Sequence, residues 1–211
     1  MRADQPAQDT PATFTDFLRV HFQHLLDPVG EFLNRIGIQP NTMTLLGLAG
    51  NLVAAILLAQ GDFRLGGLIV LLVGPIDALD GVMARLRGEP SEFGAFVDSV
   101  TDRYSELTIL AGLLYYFLVT DARLLAGLVF AAAAGSVLVS YVRARGEAVG
   151  YQVKGGVLTR VERYLVLAPS LLLNLPAVGV GIVALFANLT AFQRIWIVRR
   201  QAHQHEALGE D

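Results

Sequence analysis

Six long apolar runs, joined by short polar segments, constrain this chain more than any other feature: residues 42–60, 65–86, 95–118, 123–143, 159–175 and 177–198. About 20 apolar residues in a helix cross the roughly 30 Å hydrocarbon core of a bilayer. Lipid offers no hydrogen-bond partners, so the backbone of each run must satisfy itself, and for runs of this length that means helices. The expected fold class is an all-α integral membrane protein with six transmembrane helices. Composition agrees, because 54% hydrophobic and 17% charged residues lie outside the range of ordinary soluble domains. The fifth run is the shortest, with Pro169 and Pro176 interrupting or bounding it.

The segments outside these runs set the organisation. Residues 1–12 contain two prolines among Gln, Asp and Thr, with little to bury, and read as a disordered N-terminus. They carry no apolar stretch of signal-peptide type, so no cleaved export signal is expected. Over residues 13–39 apolar side chains from Phe14 to Ile36 recur at helical spacing, interrupted near Pro28. That pattern predicts an N-terminal amphipathic helix lying in the membrane interface. His21 and His24 belong to it as interfacial residues rather than ligands. Pro40-Asn41-Thr42 supplies a stop and a helix cap before the first span. Residues 40–200 form the membrane domain and 201–211 a cytoplasmic tail.

Lys and Arg fix an orientation. With six spans, Arg2, Arg19, Arg35, Arg85, Arg87, Arg143, Arg145, Lys154, Arg160, Arg163, Arg199 and Arg200 fall on one side, and only Arg64 and Arg123 on the other. The positive-inside tendency then puts both termini in the cytoplasm of a multi-pass cell-membrane protein. A formal net charge of −3 gives no nucleic-acid signal, and the absence of Cys excludes disulfides, thiolate metal sites and cysteine nucleophiles.

Against this apolar background residues 77–102 are anomalous: DALDGVMARLRGEPSEFGAFVDSVTD carries Asp77 and Asp80 three apart, then Asp98 and Asp102 four apart. On helices each pair projects from one face, so a hairpin of the second and third spans presents two facing carboxylate pairs at the cytoplasmic boundary. Buried carboxylates need a counter-charge, and a set of hard oxygens implies Mg²⁺, with Mn²⁺ or Ca²⁺ as alternatives. Gly81 and Gly94 leave room beside the acids for a ligand or a second backbone. Pro75 removes a helical hydrogen bond upstream of Asp77 and predicts a kink there.

The full pattern, Asp77-x2-Asp80-Gly81-x2-Ala84-Arg85-x8-Gly94-x3-Asp98-x3-Asp102, resembles without gap or substitution the signature of the CDP-alcohol phosphotransferase family. The resemblance implies a six-span membrane catalytic domain and a homodimer that moves a phosphatidyl group from a CDP-linked lipid to an alcohol, releasing CMP. It further implies that Asp77, Asp80 and Asp98 ligate one or two divalent ions, and that Asp102 both contacts metal and takes the proton of the attacking hydroxyl. Arg85 is implied to bind the nucleotide, with Gly81, Ala84, Ser91 and Gly94 forming the floor for cytidine and diphosphate and Asn41 and Thr42 contributing from the first span. Glu106, one turn beyond Asp102, is either a partner to the metal-binding acids or half of a structural ion pair with an Arg from a neighbouring helix.

A second constellation, SYVRARGEAVGYQVKGGVLTRVERY over residues 140–164, concentrates Arg143, Arg145, Lys154, Arg160 and Arg163 on the side of the aspartates. Those residues are the expected seat of a phosphorylated acceptor, although lipid headgroup contact would explain the same charges. The segment is similar to the branch of the family that makes phosphatidylinositol phosphate, or its archaeal equivalent, from inositol 1-phosphate. It departs from that branch at Thr159, where a Glu is usual. Glycerol 3-phosphate is the rival acceptor, and DSVTD lacks the Pro associated with it. Two readings compete from outside the family. A membrane prenyltransferase shares paired aspartates but has more spans, and a cation transporter would distribute its acids along a path rather than cluster them at one boundary.

Overall fold

The computed structural model describes residues 26–88, 92–153 and 155–208, apart from the side chains of residues 77–78 and 205–208. The expectations of a disordered residue 1–12 segment, and those placed on His21, His24, Ser91 and Lys154, lie outside the described residues. Among the described residues all regular structure is helical. The helices are α1 (residues 26–35), α2 (Pro40–Ala59), α3 (Phe63–Leu86), α4 (Glu92–Val119), α5 (Arg123–Ala148), α6 (Arg160–Leu172) and α7 (Pro176–Leu208). Each apolar run of the sequence therefore becomes one helix.

Four of them, α2, α3, α5 and α7, are long and apolar enough to cross a membrane. The other two depart from a plain apolar span for different reasons. Helix α4 has 28 residues, ample length, but carries Asp98, Asp102, Arg103 and Glu106 within its first 15. Helix α6 has only 13 residues, about 20 Å at 1.5 Å per residue, so the expected span over 159–175 is shortened at its C-terminal end. The stop there is local: Asn174 adopts φ 59°, the left-handed conformation that Asn tolerates better than most residues, and Pro176 then opens α7. Pro169 sits within α6 rather than ending it, and α3 runs through Pro75.

The start of α2 also differs from expectation. Pro40 occupies the first turn, Gln39 is the N-cap, and no side chain caps the helix. Asn41 and Thr42 are thus exposed first-turn residues instead of caps, consistent with proline's fixed φ favouring that first position.

Packing is helix on helix. Helix α2 lies against both α3 and α4, α3 against α6, and α5 against both α4 and α7. Leu58, Val70, Ile109, Leu113, Val129, Leu171, Val183 and Ala187 form one continuous core through the bundle. Small residues set the closest approaches. A Cβ at Gly112 would strike the backbone of Ala55 on α2, and one at Gly67 the backbone of Leu171–Leu172 on α6. The small residues of the fourth span serve the same purpose within the chain: Ala132 and Gly135 are buried, and Asn188 of α7 donates to the Ala131 carbonyl at 2.9 Å.

Helix α1 packs by Leu26 and Leu33 against Leu79, Val82 and Met83 of α3 while exposing Val29 and Phe32; residues 13–25 of the expected amphipathic helix lie outside the described residues. Asn34 fastens it, donating to the Met83 carbonyl at 3.1 Å and accepting from Arg87 Nε at 2.7 Å. Arg87 also donates to the Ile38 carbonyl. These bonds fix the chain across the ends of α2 and α3 where the acids lie.

Candidate active site

The C-terminal half of α3 carries Asp77, Asp80, Gly81, Ala84 and Arg85, and the first three turns of α4 carry Gly94, Asp98 and Asp102. Asp80 is only 7% exposed, a burial that demands partners. Thr44 of α2 donates its hydroxyl to Asp80 Oδ2 at 2.6 Å, and the Gly81 amide donates to Oδ1 at 2.5 Å. Each carboxylate oxygen retains a further lone pair after these bonds. Asp98 of α4 lies close enough to Asp80 for the two like charges to repel, with Arg160 within range of both. Arg85 lies over Gly81, for a methyl group at 81 would stand 3.6 Å from Arg85 Nη1, so these two residues share a surface.

Asp102 faces α6. Arg160 Nη1 pairs with its Oδ2, and Arg103 Nη2 stands 3.6 Å from the same oxygen. Arg103 in turn donates to Ser140 Oγ on α5. One turn further along α4, Glu106 receives a two-pronged grip from Arg163, with Nε 2.6 Å from Oε1 and Nη2 2.9 Å from Oε2. The two acids of α4, four residues apart, thus meet two arginines of α6, three residues apart, as successive rungs. Glu162 completes the start of α6 by accepting from the Thr159 amide, so the residue that departs from the usual Glu serves as N-cap.

The structure separates the expected acceptor residues. Arg160 lies at the site. Arg163 does not offer itself to a ligand: it is 2% exposed, its fork closed on Glu106 and its Nη1 donating to the Leu158 carbonyl at 3.3 Å. Glu106 is thus half of an ion pair with an Arg of a neighbouring helix, and Arg163 is engaged in it. Arg143 and Arg145 are exposed on the last turns of α5, and Arg143 pairs with Glu147 one turn on at 2.9 Å. Asn41 and Thr42 are exposed, and it is Thr44, two residues later, that reaches an aspartate.

Arg194 of α7 was not singled out by sequence. It is 5% exposed, donates to the carbonyls of Gly155 at 3.0 Å and Val139 at 2.7 Å, and ties the segment between α5 and α6 to the bundle. A lone arginine within an apolar run was the available signal, and an unsatisfied charge there would be costly.

A hard divalent cation fits the donor set. Asp80 and Asp98 bring like charges together from two helices, and carboxylate and hydroxyl oxygens are what such an ion selects. Among the described residues no three acidic or imidazole groups converge as a finished cluster, and the Asp77 side chain lies outside them.

Similarity to known proteins agrees with this geometry. Residues 38–197 match the family model described as CDP-alcohol phosphatidyltransferase. The chain is 34% identical over 213 residues to a phosphatidylinositol phosphate synthase of Streptomyces avermitilis, covering 93% of this chain and 86% of the relative. It is 33% identical over 190 residues to an archaetidylinositol phosphate synthase of Pyrococcus horikoshii, covering 87% of this chain and 96% of the relative. Among solved structures, phosphatidylinositol phosphate synthase of Mycobacterium tuberculosis with CDP-DAG bound superposes with a TM-score of 0.77 at 29% identity, covering 83% of this chain and 94% of that one. The same enzyme in complex with manganese and citrate gives a TM-score of 0.77 at 29% identity, over 82% of this chain and 88% of that one. With the aspartate signature on α3 and α4 and a family match across most of its length, the chain belongs to the CDP-alcohol phosphatidyltransferase family.

Proposed function

We propose that this protein transfers the phosphatidyl group of CDP-diacylglycerol, or of a CDP-linked ether lipid, to a hydroxyl of inositol 1-phosphate, releasing CMP. The observation that carries the reading is the position of Asp102, an acid at the end of the aspartate signature that faces the basic end of α6 through Arg160. A carboxylate so placed lies between a donor held by α3 and a phosphorylated acceptor held by α5 and α6. The names of the Streptomyces and Pyrococcus relatives support inositol phosphate as the acceptor.

In the proposed reaction the acceptor hydroxyl attacks the phosphorus that bears the diacylglycerol. The bond from that phosphorus to the oxygen bridging to CMP breaks, CMP leaves with the bonding pair, and the hydroxyl proton passes to an Asp102 carboxylate oxygen. Asp77, Asp80, Asp98 and Asp102 would hold Mg²⁺, with Mn²⁺ as the alternative and two ions as the expected number. When bound, such ions neutralise diphosphate charge and stabilise entering and leaving oxygens. Arg85, Gly81, Ala84 and Gly94, with Ser91, Asn41 and Thr42, would line the nucleotide side. Arg143, Arg145, Lys154 and Arg160 would draw in the acceptor phosphate.

The same reading places α2 to α7 as six spans of the cytoplasmic membrane, residues 13–39 as an interfacial helix, the site on the cytoplasmic side, and two copies as a homodimer. Purified protein with Mg²⁺ and CDP-diacylglycerol tests it through CMP release. Inositol 1-phosphate should stimulate release, whereas glycerol 3-phosphate, inositol or no acceptor should not. Stimulation by glycerol 3-phosphate instead would transfer the assignment to phosphatidylglycerol phosphate synthesis, and no release with any acceptor would reject the transferase.

A further inference from the structure

Helix α7 is longer than a bilayer crossing requires. From Pro176 to Trp196 it climbs about 30 Å at 1.5 Å per residue, the thickness of the hydrocarbon core, and its helical backbone continues to Leu208. Arg194 donates to the Val139 carbonyl on α5, the residue beside Ser140, which receives Arg103, the neighbour of Asp102, so this end of α7 is level with the aspartate site and projects beyond it.

The two sides of this projecting end are unlike. One is pinned: Gln201 exchanges two hydrogen bonds with the backbone of Gln152, at 3.0 and 2.7 Å, and Arg194, two turns earlier on the same side, donates to the Gly155 and Val139 carbonyls. The other carries Trp196, Arg199, Arg200 and His203, which at 100° per residue occupy an arc of roughly 100°. All four are exposed, Trp196 at 63%, and the Arg199 guanidinium carbon lies 5.7 Å from the indole centroid. An indole at the interface with its neighbours cationic on the polar side is the composition that meets a lipid phosphate: the ring sits at the glycerol level and the arginines at the headgroup. None of these residues takes part in the transfer chemistry.

We propose that this face of α7 is a binding site for the headgroup of an anionic phospholipid, with Arg199 and Arg200 on the phosphate and Trp196 packed at the chain–headgroup boundary. The inference rests on the membrane-spanning reading of the bundle. It supplies beside the catalytic centre a seat selective for acidic lipid, the chemical class of both the CDP-linked donor and the phosphorylated lipid product.

Trp196 is the only tryptophan of the chain, so its fluorescence reports this face alone. The full-length protein is reconstituted into mixed phosphatidylglycerol–phosphatidylcholine vesicles in which either one lipid or the other carries brominated chains. At equal mole fraction, brominated phosphatidylglycerol should quench Trp196 roughly twofold more deeply than brominated phosphatidylcholine, as accumulation of acidic lipid at two arginines requires. The preference should disappear in R199Q/R200Q, which retains CMP release. Equal quenching by the two lipids in the unaltered protein would overturn the proposal. So would the absence of quenching by either, and extraction with alkaline carbonate then separates the causes. Protein that stays in the membrane has this face covered by protein, whereas protein that is released refutes the spanning reading as well.

Discussion

Replacing Arg163 with Met separates a structural arginine from a substrate-binding one. Arg163 makes three hydrogen bonds, two of them to the Glu106 carboxylate at 2.6 and 2.9 Å, and is 2% exposed. Methionine preserves much of the apolar volume but leaves Glu106 with a buried charge and no fork. Removing one partner of such a buried pair costs about 3–5 kcal/mol, while replacing both with apolar or neutral groups costs far less. Unfolding of the purified protein in mixed detergent, followed by circular dichroism, should show R163M strongly destabilised and E106Q/R163M recovering most of the loss. The coupling between the two sites should therefore be large, on the order of 2 kcal/mol. If R163M loses less than about 1 kcal/mol, or if the two substitutions simply add, the closed ion pair is not what holds Arg163. A raised KM for the acceptor with unchanged stability would return Arg163 to the substrate.

Asp102→Asn should lower CMP release by about 10²–10⁴-fold, the range of a positioned general base, while CDP-diacylglycerol still stabilises the protein against heat. Substantial residual turnover would reject that role. Asp80→Asn should abolish the increase in melting temperature that Mg²⁺ gives the unaltered protein; an unchanged metal response would take Asp80 out of the ligand set. Arg160→Ala should raise KM for a phosphorylated acceptor by about 10-fold or more, as expected for losing a charge-assisted hydrogen bond. An effect confined to the lipid donor would relocate Arg160.

Which parts of this were legible follows from what each residue answers to. Helices α2 to α7 follow largely apolar runs of about 20 residues, four of them long and apolar enough to cross a membrane, so their existence and order could be read from the chain. The aspartate signature was legible because four carboxylates have no reason to sit among apolar residues unless a ligand gathers them. Pairing between helices was not legible, since it depends on rotation about helix axes that composition does not record. Arg160 and Arg163 looked equivalent in sequence, yet one lies at Asp102 and the other closes on Glu106. Thr44 was hidden for the same reason. A hydroxyl one turn into an apolar helix is common, and only the approach of α3 to α2 turns it toward Asp80. The end of α6 was misjudged because apolar residues continue through Leu173 and Leu175, while the turn is made by Asn174, whose left-handed φ has no signature in hydropathy.

Position along α4 grades its acids by how completely their charge is balanced, and that gradient explains how carboxylates are tolerated beside an apolar core. Glu106, deepest, is closed by both prongs of Arg163 and contributes to folding. Asp102, one turn nearer the end of the helix, meets Arg160 and feels Arg103 from 3.6 Å, so its charge is held without being sealed. Asp98, one turn nearer again, stands against the like charge of Asp80, an arrangement that favours a cation. Helix α6 supplies the first two steps from a single turn, Arg160 to Arg163, whose N-terminus is fixed by Glu162 and by the Arg163 bond to Leu158. The deep pair therefore sets the height and rotation of α6, which in turn sets where Arg160 meets Asp102. Loss of Glu106–Arg163 should accordingly reduce turnover as well as stability, through displacement of Arg160 rather than loss of a substrate contact.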